Sequence, residues 1–83
     1  MKYQIRNEET KKSVRKAKST WGSDITRNPM VIRTCNMLDE AYTTLHQAKG
    51  AAMVDAVSSA MDAELRFARA VFDAGISKGV VFK

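Results

Sequence analysis

From Asn28 onward the apolar residues follow a helical beat. Val31, Cys35, Leu38, Tyr42 and Leu45 recur at spacings of four, three, four and three, which lines one seam of an α-helix and no face of a strand. Met30, Ile32, Met37, Ala41 and Ala48 widen that seam on either side. Asn28-Pro29 is a strong start signal: Asn caps the first free N–H groups, and Pro at the first helical position has no N–H to leave unsatisfied. The pattern predicts a helix from residue 29 to about residue 49.

The beat slips at Gly50. Continued as one helix, the seam would run through Lys49, Ala52, Ala56 and Ser59, a poor core. The larger apolar residues beyond the glycine are Val54, Val57, Met61, Leu65, Ala68 and Phe72, with Ala60 and Val71 beside them, two residues out of phase with the first seam. A helical hairpin turning near Gly50 accounts for this slip. The alternative is a single rod of about 45 residues, which would need a partner chain to cover it. On the hairpin reading the third helix spans residues 52–74, stopped by Gly75, with Asp55, Ser59, Asp62, Arg66, Arg69 and Asp73 as its polar face. Asp62 and Arg66 are spaced for an i,i+4 ion pair, as are Arg69 and Asp73 in the less favourable order.

The start of the chain carries the charge. Up to Lys18 there are seven basic residues, Lys2, Arg6, Lys11, Lys12, Arg15, Lys16 and Lys18, against Glu8 and Glu9, a net of +5. From Ser19 to Lys83 seven basic residues balance seven acidic ones, so a neutral body follows a basic head. Asn7 reads as an N-cap, and two glutamates in the first turn suit the helix dipole. A helix over residues 8–21 ends at Gly22. On a helical wheel Val14, Ala17 and Trp21 share an arc of about 60°, while Lys11, Lys12, Arg15, Lys16 and Lys18 take a separate arc of about 160°. Residues 22–28 read as a linker, and residues 75–83 as a tail whose Val80, Val81 and Phe82 need cover, from the bundle, from Tyr3 and Ile5, or from a second copy. The fold expected is all-α: a small three-helix bundle in one domain, a basic N-terminal helix joined to a long helical hairpin. At 83 residues such a domain buries only about 60% of its unfolded surface.

Catalysis finds little to work with. The one Cys and one His, Cys35 and His46, are eleven residues apart on the same helix, about 16 Å along its axis and too far to act as nucleophile and base. Cys35 sits in the apolar seam, as a buried structural thiol would. Four dispersed glycines make no phosphate loop, and the adjacent acids Asp39 and Glu40 point to different sides of a helix. No enzyme activity, cofactor or metal site is expected. The apolar runs are far shorter than the ~20 residues of a membrane span, no apolar segment follows the basic head as a secretory signal would require, and a lone Cys suits the reducing cytoplasm.

The expected function is therefore binding. The basic helix has enough cations on one face for several phosphate contacts, so nucleic acid, DNA or RNA, is the first expectation, with Lys2, Arg6, Lys11, Lys12, Arg15, Lys16, Lys18 and Trp21 as the contact residues. Trp21 also closes the apolar seam of its helix, and docking into the bundle is its simplest role. An acidic protein surface, gripped by an inhibitor or adaptor of the sort that phages and plasmids encode, is the second expectation. A homodimer follows from the uncovered tail or from the rod. The run Lys78-Gly79-Val80-Val81-Phe82-Lys83, behind a basic helix and a helical hairpin, is similar to a segment in a family of basic three-helix proteins of the bacterial small ribosomal subunit, a resemblance that implies rRNA binding. It covers six residues, and the chain lacks that family's heavier basic load, its basic extension and its shorter hairpin.

Overall fold

The computed structural model describes residues 5–77. Three α-helices account for most of them: α1, Glu8–Trp21; α2, Pro29–Gln47; and α3, Ala51–Ser77. A 3₁₀ turn, Ser23–Arg27, joins α1 to α2. The all-α three-helix fold expected from the apolar spacing is the one observed, and α2 and α3 form the hairpin, not the rod. Expectations resting on Lys2, Tyr3 and the run Lys78–Lys83 lie outside the described residues.

Each junction has a local cause. The Asn28 side chain accepts from the Met30 and Val31 N–H groups at 2.9 and 3.3 Å, with Pro29 at the first helical position. At the far end Ala48 is extended and its N–H bonds back to the Leu45 carbonyl, so α2 stops two residues before the expected Lys49. Gly50 then turns the chain at φ +62°, a left-handed conformation that costs a side chain about 1 kcal/mol. The segment read as a linker is ordered by Ile25, which is only 1% exposed and lies in the core among Val14, Ala17, Val31, Cys35 and Leu38.

Two expectations for the third helix are overturned. Gly75 does not stop it; α3 runs on to Ser77, and Gly75 is buried inside it. The glycine is there for space: a Cβ at position 75 would come within 2.7 Å of three ring atoms of Trp21. The buried face is also not the expected one. Ala56, Ala60, Ala63, Phe67, Ala70, Val71 and Ala74 face inward, while Val54, Val57, Met61, Leu65, Ala68 and Phe72 are exposed. Small side chains let two helix axes approach closely, so the alanine stripe packs on α2 and the larger residues are turned out. Phe67 is the one large side chain on the inward face; burying such a group contributes about 2 kcal/mol.

Candidate nucleic-acid interface

Helix α1 presents the basic residues, and its own core contacts decide which way they point. Thr10, Val14 and Ala17 are buried along one side, with Trp21 half-buried at the end. The opposite side carries Lys12, Arg15, Lys16 and Lys18, all exposed, and Lys11, which is partly covered. These cations are not equivalent. Lys11 and Arg15 both reach Glu8, at 3.9 and 4.0 Å, in loose, solvated pairs of small energetic weight. Lys12, Lys16 and Lys18 have no ion pair among the described residues. Arg6 is tied into the fold: its backbone N–H donates to Asp39 Oδ2 at 2.9 Å and its Nε at 3.4 Å, although the side chain stays 61% exposed.

Asp39 fixes the start of α1 against α2, a role that sequence reasoning missed. Its side chain is 5% exposed. Besides the Arg6 bonds, Oδ1 accepts from the Asn7 N–H at 3.0 Å and from Asn7 Nδ2 at 2.8 Å. The same Nδ2 also donates to the Asp39 carbonyl and the Thr43 hydroxyl. Burial pushes this carboxyl up, but the N–H groups of Arg6 and Asn7, the Asn7 amide and the Thr10 hydroxyl together outweigh it and hold its pKa at about 2. The fully buried Thr10 hydroxyl contributes to that field without a hydrogen bond of ordinary geometry. Asn7 precedes α1 as expected, yet its side chain caps nothing; it is spent on Asp39 and Thr43. The clue in the sequence was an aspartate beside Leu38, flanking the apolar seam where a buried acid would need donors from another segment.

A second carboxylate joins all three helices. Glu64 of α3 accepts from the Tyr42 hydroxyl of α2 at 2.6 Å and from Ser13 of α1 at 3.2 and 3.3 Å. Burial and the adjacent Glu64 charge push the Tyr42 phenol up to about 12, so it remains a donor at any ordinary pH. Near the hairpin end His46 Nε2 lies 2.9 Å from Glu9 Oε2. Glu9's own backbone N–H and the His46 contact lower its pKa.

Between α1 and α3 a groove of about 580 Å³ opens. Lys12 and Lys16 stand on its α1 rim, Ala17, Trp21, Phe67, Val71 and Phe72 form an apolar floor and wall, and Tyr42 and Glu64 close one end. Trp21 takes the bundle role: it lies over Gly75 and meets Phe72 edge to face, ring centroids 6.0 Å apart at 81°. Cys35 is fully buried in the core. Among the described residues no group of three or more His, Cys, Asp or Glu side chains could hold a metal ion, and no helix is long and apolar enough to cross a membrane. Comparison of the chain with protein-family models, with curated proteins and with solved structures gives no match.

Proposed function

We propose that this chain is a small non-enzymatic binding protein that docks through the outer face of α1 on nucleic acid, mainly by phosphate contacts. The observation that carries the reading is that Lys12, Lys16 and Lys18 project from a helix fixed at both ends and have no ion pair among the described residues. Asp39 anchors the first turn through Arg6 and Asn7, and Trp21 anchors the last on Gly75. The cations are thus held in one spatial pattern, which lowers the ordering cost of contacting a charged polymer. Arg15 and Lys11 can exchange Glu8 for phosphate at little cost, since their existing pairs are long and solvated.

The test is gel retardation of short duplex DNA and single-stranded RNA by the wild type and by Lys12→Glu/Arg15→Glu/Lys16→Glu. The variant should lose retardation while its helical circular dichroism is unchanged. Equal retardation by the two proteins would end the proposal.

A second reading is an adaptor or inhibitor that grips an acidic protein segment, and the α1–α3 groove favours it: an apolar floor beside two unpaired lysines suits an amphipathic, acid-flanked helix. Pull-down from nuclease-treated lysate separates the two, because a protein partner survives nuclease and a nucleic-acid bridge does not.

A further inference from the structure

Helix α3 has two apolar faces, and one of them is largely uncovered among the described residues, meeting α1 where Phe72 touches Trp21. The alanine face packs on α2. The other, Val54, Val57, Met61, Leu65, Phe72 and Ile76 with Ala68 among them, runs almost the full length of the helix at spacings of three and four. Val54 and Leu65 are each 72% exposed and Met61 is 64% exposed. For side chains of these sizes the patch is on the order of 600 Å², at the upper end of what a monomeric protein leaves open.

We propose that this face is a self-association surface, and that two copies pair through α3 in antiparallel orientation about a two-fold axis crossing the helix at Leu65. The stripe is close to symmetric in spacing about Leu65, with steps of 4, 4 and 3 residues toward Val54 and 3, 4 and 4 toward Ile76. Leu65 on the axis meets the partner's Leu65. To either side Met61 meets the partner's Ala68, Val57 meets the partner's Phe72, and Val54 meets the partner's Ile76. Large residues face small ones in the two intermediate layers, as interdigitating helices require. An isologous pairing demands this kind of self-complementarity.

Charge on the polar margin agrees. In an antiparallel pair the same margin of each α3 meets its counterpart, which brings Asp62 abreast of the partner's Arg69, twice by symmetry. Arg69 lies 3.6 Å from Asp73 within its own chain, a long contact that leaves it able to bridge. Asp55 comes abreast of the partner's Asp73, a like-charge approach that the same Arg69 screens. Two such patches would bury roughly 1,200 Å² in total, at the threshold of a specific interface, so the pairing is a reversible one. It is independent of the nucleic-acid reading, which uses α1 alone.

The test uses the full chain. Sedimentation equilibrium should give a concentration-dependent monomer–dimer equilibrium, and Leu65→Asp should weaken it at least about 100-fold. Because Leu65 is exposed, that variant should keep the wild-type circular dichroism. Cysteines introduced singly into a Cys35→Ser chain then report orientation. Leu65→Cys should oxidise to a disulfide-linked dimer, since the axis brings the two copies of position 65 together. Val54→Cys alone should not, because its copies stand at opposite ends, whereas Val54→Cys mixed with Ile76→Cys should give the mixed dimer. A chain that stays monomeric at hundreds of micromolar overturns the proposal and leaves the face to another protein. Ready self-linking of Val54→Cys would overturn the antiparallel arrangement.

Discussion

Asp39 shows how one side chain can tie the basic helix to its support. Asp39→Ala would leave the N–H groups of Arg6 and Asn7 without their acceptor and take from the Asn7 amide one of its three. Donors stranded at a part-buried site cost about 1–3 kcal/mol, so urea unfolding should show a loss of about 1–3 kcal/mol, with α1 fraying first. The acid response has a definite sign. The folded carboxyl sits at about 2 against an ordinary value of 3.8. Its contribution, about 2 kcal/mol by linkage, is therefore complete above pH 4 and is lost as the pH falls from about 4 to about 2. Asp39→Asn should flatten the stability profile over that window; an unchanged profile would show that another group carries the acid response. Gly75 makes the opposite kind of case. In an exposed helix Gly→Ala gains about 1 kcal/mol, but here the new methyl would meet the Trp21 ring. Gly75→Ala should therefore lower Tm and shift Trp21 fluorescence, and Gly75→Ala/Trp21→Leu should recover part of the loss. A Gly75→Ala protein as stable as the wild type would mean that the ring moves aside freely.

At the scale of elements, the signals that survive into the structure are those with a local cause. Asn28-Pro29 starts α2 and Gly50 turns the hairpin because capping and positive φ are decided within a few residues. Nothing lies within 4 Å of a Cβ at Gly50, so a substitution there costs backbone conformation and no packing. Gly50→Val should destabilise by more than 1 kcal/mol in urea melts and Gly50→Asn by only a few tenths, because Asn tolerates the left-handed region. Equal losses from the two would place the cost elsewhere. The choice of face on α3 was not local. Hydropathy ranks Val54, Met61 and Leu65 above Ala56, Ala60 and Ala63, yet the alanines are buried, because what α2 selects is how near another helix can come. A helix with two apolar sides is ambiguous from its own sequence, and only the partner helix resolves it. Gly75 misled for a related reason: glycine ends helices and also admits large rings, and the second role depends on Trp21, more than fifty residues away. On α1 the basic arc and the Val14–Ala17–Trp21 seam were legible, since both follow from its own 3.6-residue period. The division of its cations into paired and unpaired was not, because it depends on side-chain reach to Glu8 and Asp39.

For the molecule as a whole, what matters is that its excess charge is confined to one region. The seven basic and seven acidic residues from Ser19 onward cancel, and beyond a Debye length of about 8–10 Å such a mixture presents little field. On the proposed reading the head governs long-range attraction and α1 governs contact. If Lys12, Arg15, Lys16 and Lys18 each displace a counterion from duplex DNA, log K should fall with log salt at a slope of about −3 to −4. Each removal of a contacting cation, Lys16→Ala for instance, should make that slope shallower by about one. Arg66 offers the control. It too is exposed but pairs with Asp62 at 2.8 Å on α3, so Arg66→Ala should leave both slope and affinity nearly unchanged. Filter binding from 50 to 300 mM salt measures all three proteins on one footing. A slope near zero, or equal losses from Lys16→Ala and Arg66→Ala, would show that the charge of the head is only solvating. The α1–α3 groove would then become the surface to pursue, because its apolar floor between Trp21 and Phe67 does not depend on salt for its attraction.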